Sequence, residues 1–180
     1  MEITTFDIEG LVAFESDIFE DDRGYFFESY NKERFRSFLG DTEFVQDNQS
    51  LSKKHVLRGL HFQRPPYAQG KLVRVIKGAV LDVAVDIRLH SPTYGQHISL
   101  ILSAANRMNF WIPEGFAHGF IALEEDTVFS YKCTALYHSK SEDSLIWNDK
   151  SLEIDWGIEH PIISEKDTMA QTFHEFKTPF

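Results

Sequence analysis

The chain has 180 residues, 42% of them apolar, with 16 phenylalanines, one cysteine and a net charge of −10. That length and apolar content suit one domain spanning 1–180 with its own core, and argue against disorder. The acidic balance argues against nonspecific nucleic-acid or anionic-lipid binding, and no apolar run approaches the roughly 20 residues a membrane-spanning helix needs.

The N-terminal MEITTFDIEG lacks the basic-then-apolar order of a signal peptide. Cys133 has no thiol to pair with, so a reducing cytoplasm is the expected location. It lies in a strand-like run, where a buried structural thiol is commoner than a nucleophile. Residues 25–29 form the first strand candidate. Residues 31–39 (NKERFRSFL) follow as a helix, with Asn31 as N-cap, Gly40 as stop, and Phe35, Phe38 and Leu39 on one face. Further strands are expected over 45–50, 71–76, 80–88, 97–102, 109–112, 119–122 and 128–134. The clearest is VLDVAVDIR (80–88), which puts Leu81, Val83, Val85 and Ile87 on one face and Asp82, Ala84 and Asp86 on the other. Turns are expected at Lys77-Gly78, Ser91-Pro92, 103–106 and 113–115. The tail from Ile154 is mixed, and residues 164–167 read as a short helix or a loop. Many short strands at near-even spacing indicate a mainly β sandwich or barrel with a few short helices.

Three basic side chains interrupt the strand-like VLRGLHFQRPPYAQGKLVRV (56–75): Arg58, His61 and Lys71. Burying such groups unpaired is costly, so they face water or something that neutralises them. A regular strand points Arg58 and His61 to opposite faces. Gly59 between them permits a bulge that brings both to one side. A single strand histidine is ordinarily structural, but a second one, His118, lies in GFAHGF (115–120).

Pro113, Gly115 and His118 form PxGxxH, which resembles the second short motif of the cupin barrels. The first cupin motif normally supplies two histidines and a glutamate to a metal. Here the second histidine is Gln63, and Lys71 stands where the glutamate is expected. A cation repels a divalent metal, so the pocket reads as holding no metal and suiting an anion.

The likeness extends further. DDRGYFFESY (21–30), FVQDNQS (44–50), LRGLHFQ (57–63), QGKLVRV (69–75), DVAVDIR (82–88), SPTYGQ (91–96), IPEGFAHGF (112–120) and WNDKSLEIDW (147–156) resemble the dTDP-4-dehydrorhamnose 3,5-epimerases. This resemblance implies a cupin jelly roll without a cofactor, acting on a dTDP-4-keto-6-deoxyhexose and inverting C3 and C5. Both carbons flank the C4 ketone, whose carbonyl stabilises the carbanion as an enolate. The chemistry needs a base on one face, an oxyanion stabiliser and an acid on the other face.

The resemblance assigns the base to His61, its orienting carboxylate to Asp167, the acid to Tyr131 and the enolate contact to Lys71. By residue type alone, Asp167 reads as an exposed helix cap, Tyr131 as a core or rim tyrosine, and Lys71 equally as a phosphate contact. His118 is implied to line the sugar pocket and Arg58 to bind pyrophosphate. Arg23, Glu28, Gln46, Asp47 and Asn48 match nucleotide contacts, Phe19 and Phe26 the wall of the base, and Tyr137 the ring stacked on thymine. Glu142 and Lys166 match further contacts. Arg23 equally suits an ion pair with Asp21 or Asp22. The resemblance also implies a homodimer with exchanged N-terminal strands. Two departures stand out. Leu136 replaces the first of a frequent Tyr-Tyr pair, and RPPYA (64–68) is a variable loop beside the pocket. Single-carbon epimerases or ketoisomerases of dTDP-keto sugars, metal-dependent cupin oxygenases and noncatalytic sugar-binding cupins remain competing readings.

Overall fold

The computed structural model describes residues 1–180. Alternating apolar and polar residues become strands, and the strands pair antiparallel throughout. In chain order they are β1 (Glu2–Thr5), β2 (Val12–Glu15), β3 (Ile18–Asp21), β4 (Gly24–Phe27), β5 (Gln46–Ser52), β6 (Leu57–Gln63), β7 (Lys71–Lys77), β8 (Ala79–Asp86), β9 (His97–Ser103), β10 (Met108–Ile112), β11 (Phe116–Ala122), β12 (Thr127–Cys133) and β13 (Glu142–Ser144). Two helices join them, α1 (Lys32–Leu39) and α2 (Glu165–Thr168).

The strands form a six-stranded sheet, β1-β2-β10-β7-β12-β5, a five-stranded sheet, β13-β6-β11-β8-β9, and the separate β3-β4 hairpin. The two large sheets share one core. Val73, Val75, Phe110 and Phe129 from the first pack on Val80, Ala84, Leu102, Phe116 and Phe120 from the second. This is the cupin-like jelly roll expected from the sequence, mainly β with short helices.

Each sheet is also covered on its outer face. On the five-stranded sheet, Val83, Val85 and Ile87 meet Leu145, Leu152, Trp156 and Phe176 of the C-terminal tail. On the six-stranded sheet, Phe35 and Leu39 of α1 pack against Phe14, Leu72 and Trp111. The α1 caps are those the sequence predicts: the Asn31 side chain accepts from Arg34 N, and Gly40 closes the helix at φ +63°.

Double coverage decides what the two faces of β8 meet. The Asp82/Ala84/Asp86 face points into the barrel, and both aspartates are fully buried. Asp86 binds Arg88, Ser91 and Thr93, anchoring the turn before β9. The same coverage hides β2 from pattern reading, because Val12, Ala13 and Phe14 are all buried and show no alternation.

Candidate active site

One end of the inter-sheet space is filled with apolar side chains, and the other opens into a cleft of about 510 Å³. The strand period decides which residues line it. Lys71 lies on the Val73/Val75 face of β7, Tyr131 on the Phe129 face of β12 and His118 on the Phe116/Phe120 face of β11. On β6 the period breaks. Leu57 and Leu60 both pack in the outer cluster, while Arg58 and His61 both line the cleft. The pairing with β11 matches, since His118 opposes His61 but Phe120 opposes Arg58, three residues against two. Gly59 makes this possible: its φ is +142°, and a Cβ there would lie 2.4 Å from Gly119 Cα.

His61 Nε2 lies 2.6 Å from Asp167 Oδ1, across 106 residues of sequence. Ser164 caps α2 by accepting from Asp167 N, which fixes the backbone that carries the carboxylate. Burial pushes the Asp167 carboxyl up, but the His61 contact and the Ser164 hydroxyl outweigh it and hold it below its ordinary value. An ionised Asp167 accepts a hydrogen bond from Nε2–H, which fixes the tautomer and leaves Nδ1 as the ring nitrogen that can take a proton. The second histidine is held likewise, with His118 Nε2 at 3.0 and 2.9 Å from the two oxygens of Asp82. Burial pushes His118 down, and Asp82 offsets this only in part, so its ring favours the neutral form.

Lys71 has no carboxylate within ion-pair distance; its ammonium donates only to the His61 carbonyl, at 3.4 Å. Desolvation pushes it down, partly offset by the Cys133, Asp82 and Glu142 charges. Its ammonium form has no carboxylate partner in the cleft, which leaves room for a bound anion to neutralise it. Tyr131 is pushed up by burial and stays protonated at neutral pH. The Arg58 guanidinium is steered by Ser52 Oγ and Leu51 O at the cleft edge. Both histidines have Nε2 taken by a carboxylate, and no group of three or more His, Cys, Asp or Glu side chains converges as metal ligands would.

The cleft thus brings together a histidine–carboxylate pair, a phenol and an ammonium without a carboxylate partner. A profile of the dTDP-4-dehydrorhamnose 3,5-epimerases matches residues 5–175. The dTDP-4-dehydrorhamnose 3,5-epimerase of Salmonella typhimurium is 53% identical over 165 residues, covering 91% of this chain and 90% of its own. That of Shigella flexneri is 48% identical, covering 96% of each. The chain belongs to the dTDP-4-dehydrorhamnose 3,5-epimerase family. The fold agrees. A crystal structure of dTDP-6-deoxy-D-glucose-3,5-epimerase from Legionella pneumophila, in complex with dTDP-4-keto-L-rhamnose, superposes with a TM-score of 0.93 at 47% identity, covering 98% of this chain and 94% of that one.

Of the residues that the epimerase resemblance singled out, the cleft gathers His61, Asp167, Tyr131, Lys71, Arg58, His118 and Lys166. A contiguous side pocket of about 250 Å³ gathers Gln46, Asn48, Tyr137 and Glu142. Glu142 accepts from Tyr137 Oη at 2.8 Å and pairs with Lys166 at 2.5 Å, bridging the two pockets. The others lie elsewhere. Asp47 points outward to Lys132, and Glu28 pairs with Arg34. Phe19, Arg23 and Phe26 sit on the β3-β4 hairpin, outside both pockets. Arg23 makes the Asp21 ion pair that its sequence neighbourhood allowed. Sequence reasoning missed Asp82 as the partner of His118 and Gln63 as a lining residue of the side pocket. The inward parity shared by Asp82 and Ala84 was the available signal for Asp82; for Gln63 it was its place at the second histidine position of the first cupin motif.

Proposed function

We propose that the chain inverts C3 and C5 of dTDP-4-dehydro-6-deoxy-D-glucose, giving dTDP-4-dehydro-L-rhamnose for dTDP-L-rhamnose biosynthesis. The reading is carried by the His61–Asp167 pair facing Tyr131 and Lys71 in one cleft. His61 Nδ1 removes the proton alpha to the ketone, and the C–H electron pair delocalises onto O4. The Lys71 ammonium stabilises that oxyanion more than it does the neutral ketone, which lowers the barrier. Tyr131 delivers a proton to the opposite face of the carbon and is reprotonated from solvent, while His61 releases its proton to water. The sequence then repeats at the second carbon. His118, kept neutral and oriented by Asp82, lines the sugar site.

Arg58 suits the diphosphate, and Gln46, Asn48, Tyr137, Glu142 and Lys166 suit the nucleoside. No cofactor takes part in these steps. The chain is proposed to act in the cytoplasm as a homodimer with exchanged N-terminal strands. The hairpin supports this: Phe19 and Phe26 are 62% and 66% exposed and remote from their own cleft, which suits walls, with Arg23, Glu28 and Asp47, for the site of a second copy.

The test is incubation with dTDP-4-keto-6-deoxyglucose in deuterated water, with C3 and C5 followed by NMR. Deuterium is expected at both carbons. Label at one carbon only would establish a single-carbon epimerase, and none would establish a noncatalytic binding protein. His61→Ala should lower the rate by roughly 10²–10⁴; exchange at the wild-type rate in that variant would remove His61 as the base.

A further inference from the structure

We propose that Gln63 is the positioning residue of the nucleotide end of the site, holding Tyr137 in place through the backbone on either side of it. The assignment rests on the nucleotide-sugar reading above. Gln63 ends β6, two residues beyond His61, and is 4% exposed. Its amide is satisfied entirely by two loops, one directly following β6 and one more than 70 residues further along the chain. Nε2 donates to Tyr67 O at 2.6 Å and Leu136 O at 3.3 Å, and Oε1 accepts from His138 N at 2.7 Å. Leu136 and His138 flank Tyr137, whose own N donates to Gln46 Oε1 at 2.8 Å. Three consecutive residues are thereby pinned by two buried or half-buried amides. Gln69 Nε2 adds a bond to Ala135 O at 2.7 Å, and the Tyr67 and His138 rings stack at 3.8 Å.

The Tyr137 ring itself is exposed at the side pocket. A ring left open to receive a flat partner, on a backbone fixed from both sides, is a pre-organised stacking platform. Without the clip, both loops would have to be ordered at the moment of binding, and that ordering cost would come out of the affinity. Gln63 makes no hydrogen bond to the His61–Asp167 pair, Lys71 or Tyr131, so the penalty falls on affinity and not on proton transfer. The cupin position that ordinarily carries a metal-binding histidine thus carries a backbone clip here.

The test uses Gln63→Glu, which keeps the acceptor for His138 N and loses both donated bonds, and Gln63→Met, which loses all three. Melting temperature establishes that each variant folds. In Gln63→Glu, amide hydrogen exchange should accelerate together in 64–69 and 134–140. The Kd for dTDP and the KM for the keto sugar should rise about tenfold or more, with kcat within about threefold. Tyr137→Ala should cost less affinity in the Gln63→Glu background than in wild type, because the platform is already lost. Unchanged exchange protection, unchanged dTDP affinity, an equal fall in kcat, or full additivity with Tyr137→Ala would each overturn the assignment. If Gln63→Met alone fails to fold, Gln63→Glu decides. A wild-type chain that binds no dTDP would sink the nucleotide reading as well; wild-type binding that Gln63→Glu leaves intact would sink this assignment alone.

Discussion

Replacing Asp167 by Asn removes one charge from the proposed base and almost nothing else. The residue is 3% exposed and its Oδ1 lies 2.6 Å from His61 Nε2. An asparagine of the same shape can still accept a hydrogen bond from Nε2–H through its amide oxygen, so the ring can keep its tautomer, while the anion that stabilises the imidazolium formed on proton abstraction is lost. A hydrogen bond to a charged group contributes roughly 1.5–3 kcal/mol. With each 1.36 kcal/mol worth a factor of ten, kcat for deuterium wash-in should fall about 10- to 150-fold. Loss should appear at C3 and C5 alike, and KM should stay within about threefold. Stability supplies a second reading. The depressed Asp167 carboxyl contributes stability that is full above the ordinary aspartate value near 3.9 and is lost as pH falls through its lower folded value. Acid titration of wild type should show that loss and Asp167→Asn should not. A variant with kcat within twofold of wild type, or with a KM effect alone, would refute the role of the carboxylate.

Three further outcomes are expected. Tyr131→Phe should impair inversion, measured by product NMR, more than exchange into recovered substrate; equal loss of both would remove Tyr131 as the acid. Because burial lowers Lys71, its ammonium deprotonates below the ordinary lysine value near 10.4, and kcat should fall as pH rises through that lowered value. Lys71→Arg keeps its charge, so this alkaline limb should move up, and coincident limbs in the two pH profiles would exclude Lys71 as the oxyanion contact. Gly59→Ala places a Cβ 2.4 Å from Gly119 Cα at a φ of +142° and should cost roughly 1–3 kcal/mol in a urea melt; a cost under about 0.5 kcal/mol would show that the β6 bulge does not depend on glycine.

Much of the site was legible because motif and local geometry are short-range properties. The glycine in LRGLH announced the break in period that turns Arg58 and His61 to one side, and the β6–β11 register shows that break. Asn31 and Gly40 announced the ends of α1 for the same reason, since a cap needs only its own turn. The β3-β4 hairpin and Asp47 were less legible. Their match to the family's nucleotide contacts carries no information about which copy's cleft they would serve, and in the single chain they stand apart from it.

By itself, then, the sequence determined the strand periodicity, the helix caps and which residue types could move a proton. Tertiary structure alone decided which of them meet: His61 with Asp167 from the far end of the chain, His118 with Asp82, and Gln63 with two loops at once. The physical reason is burial on both faces. Once the C-terminal tail and α1 cover the outer surfaces of the sheets, inside and outside are equally dry. Alternation in the sequence then no longer says which side of a strand holds the cleft; only the packing of distant segments does.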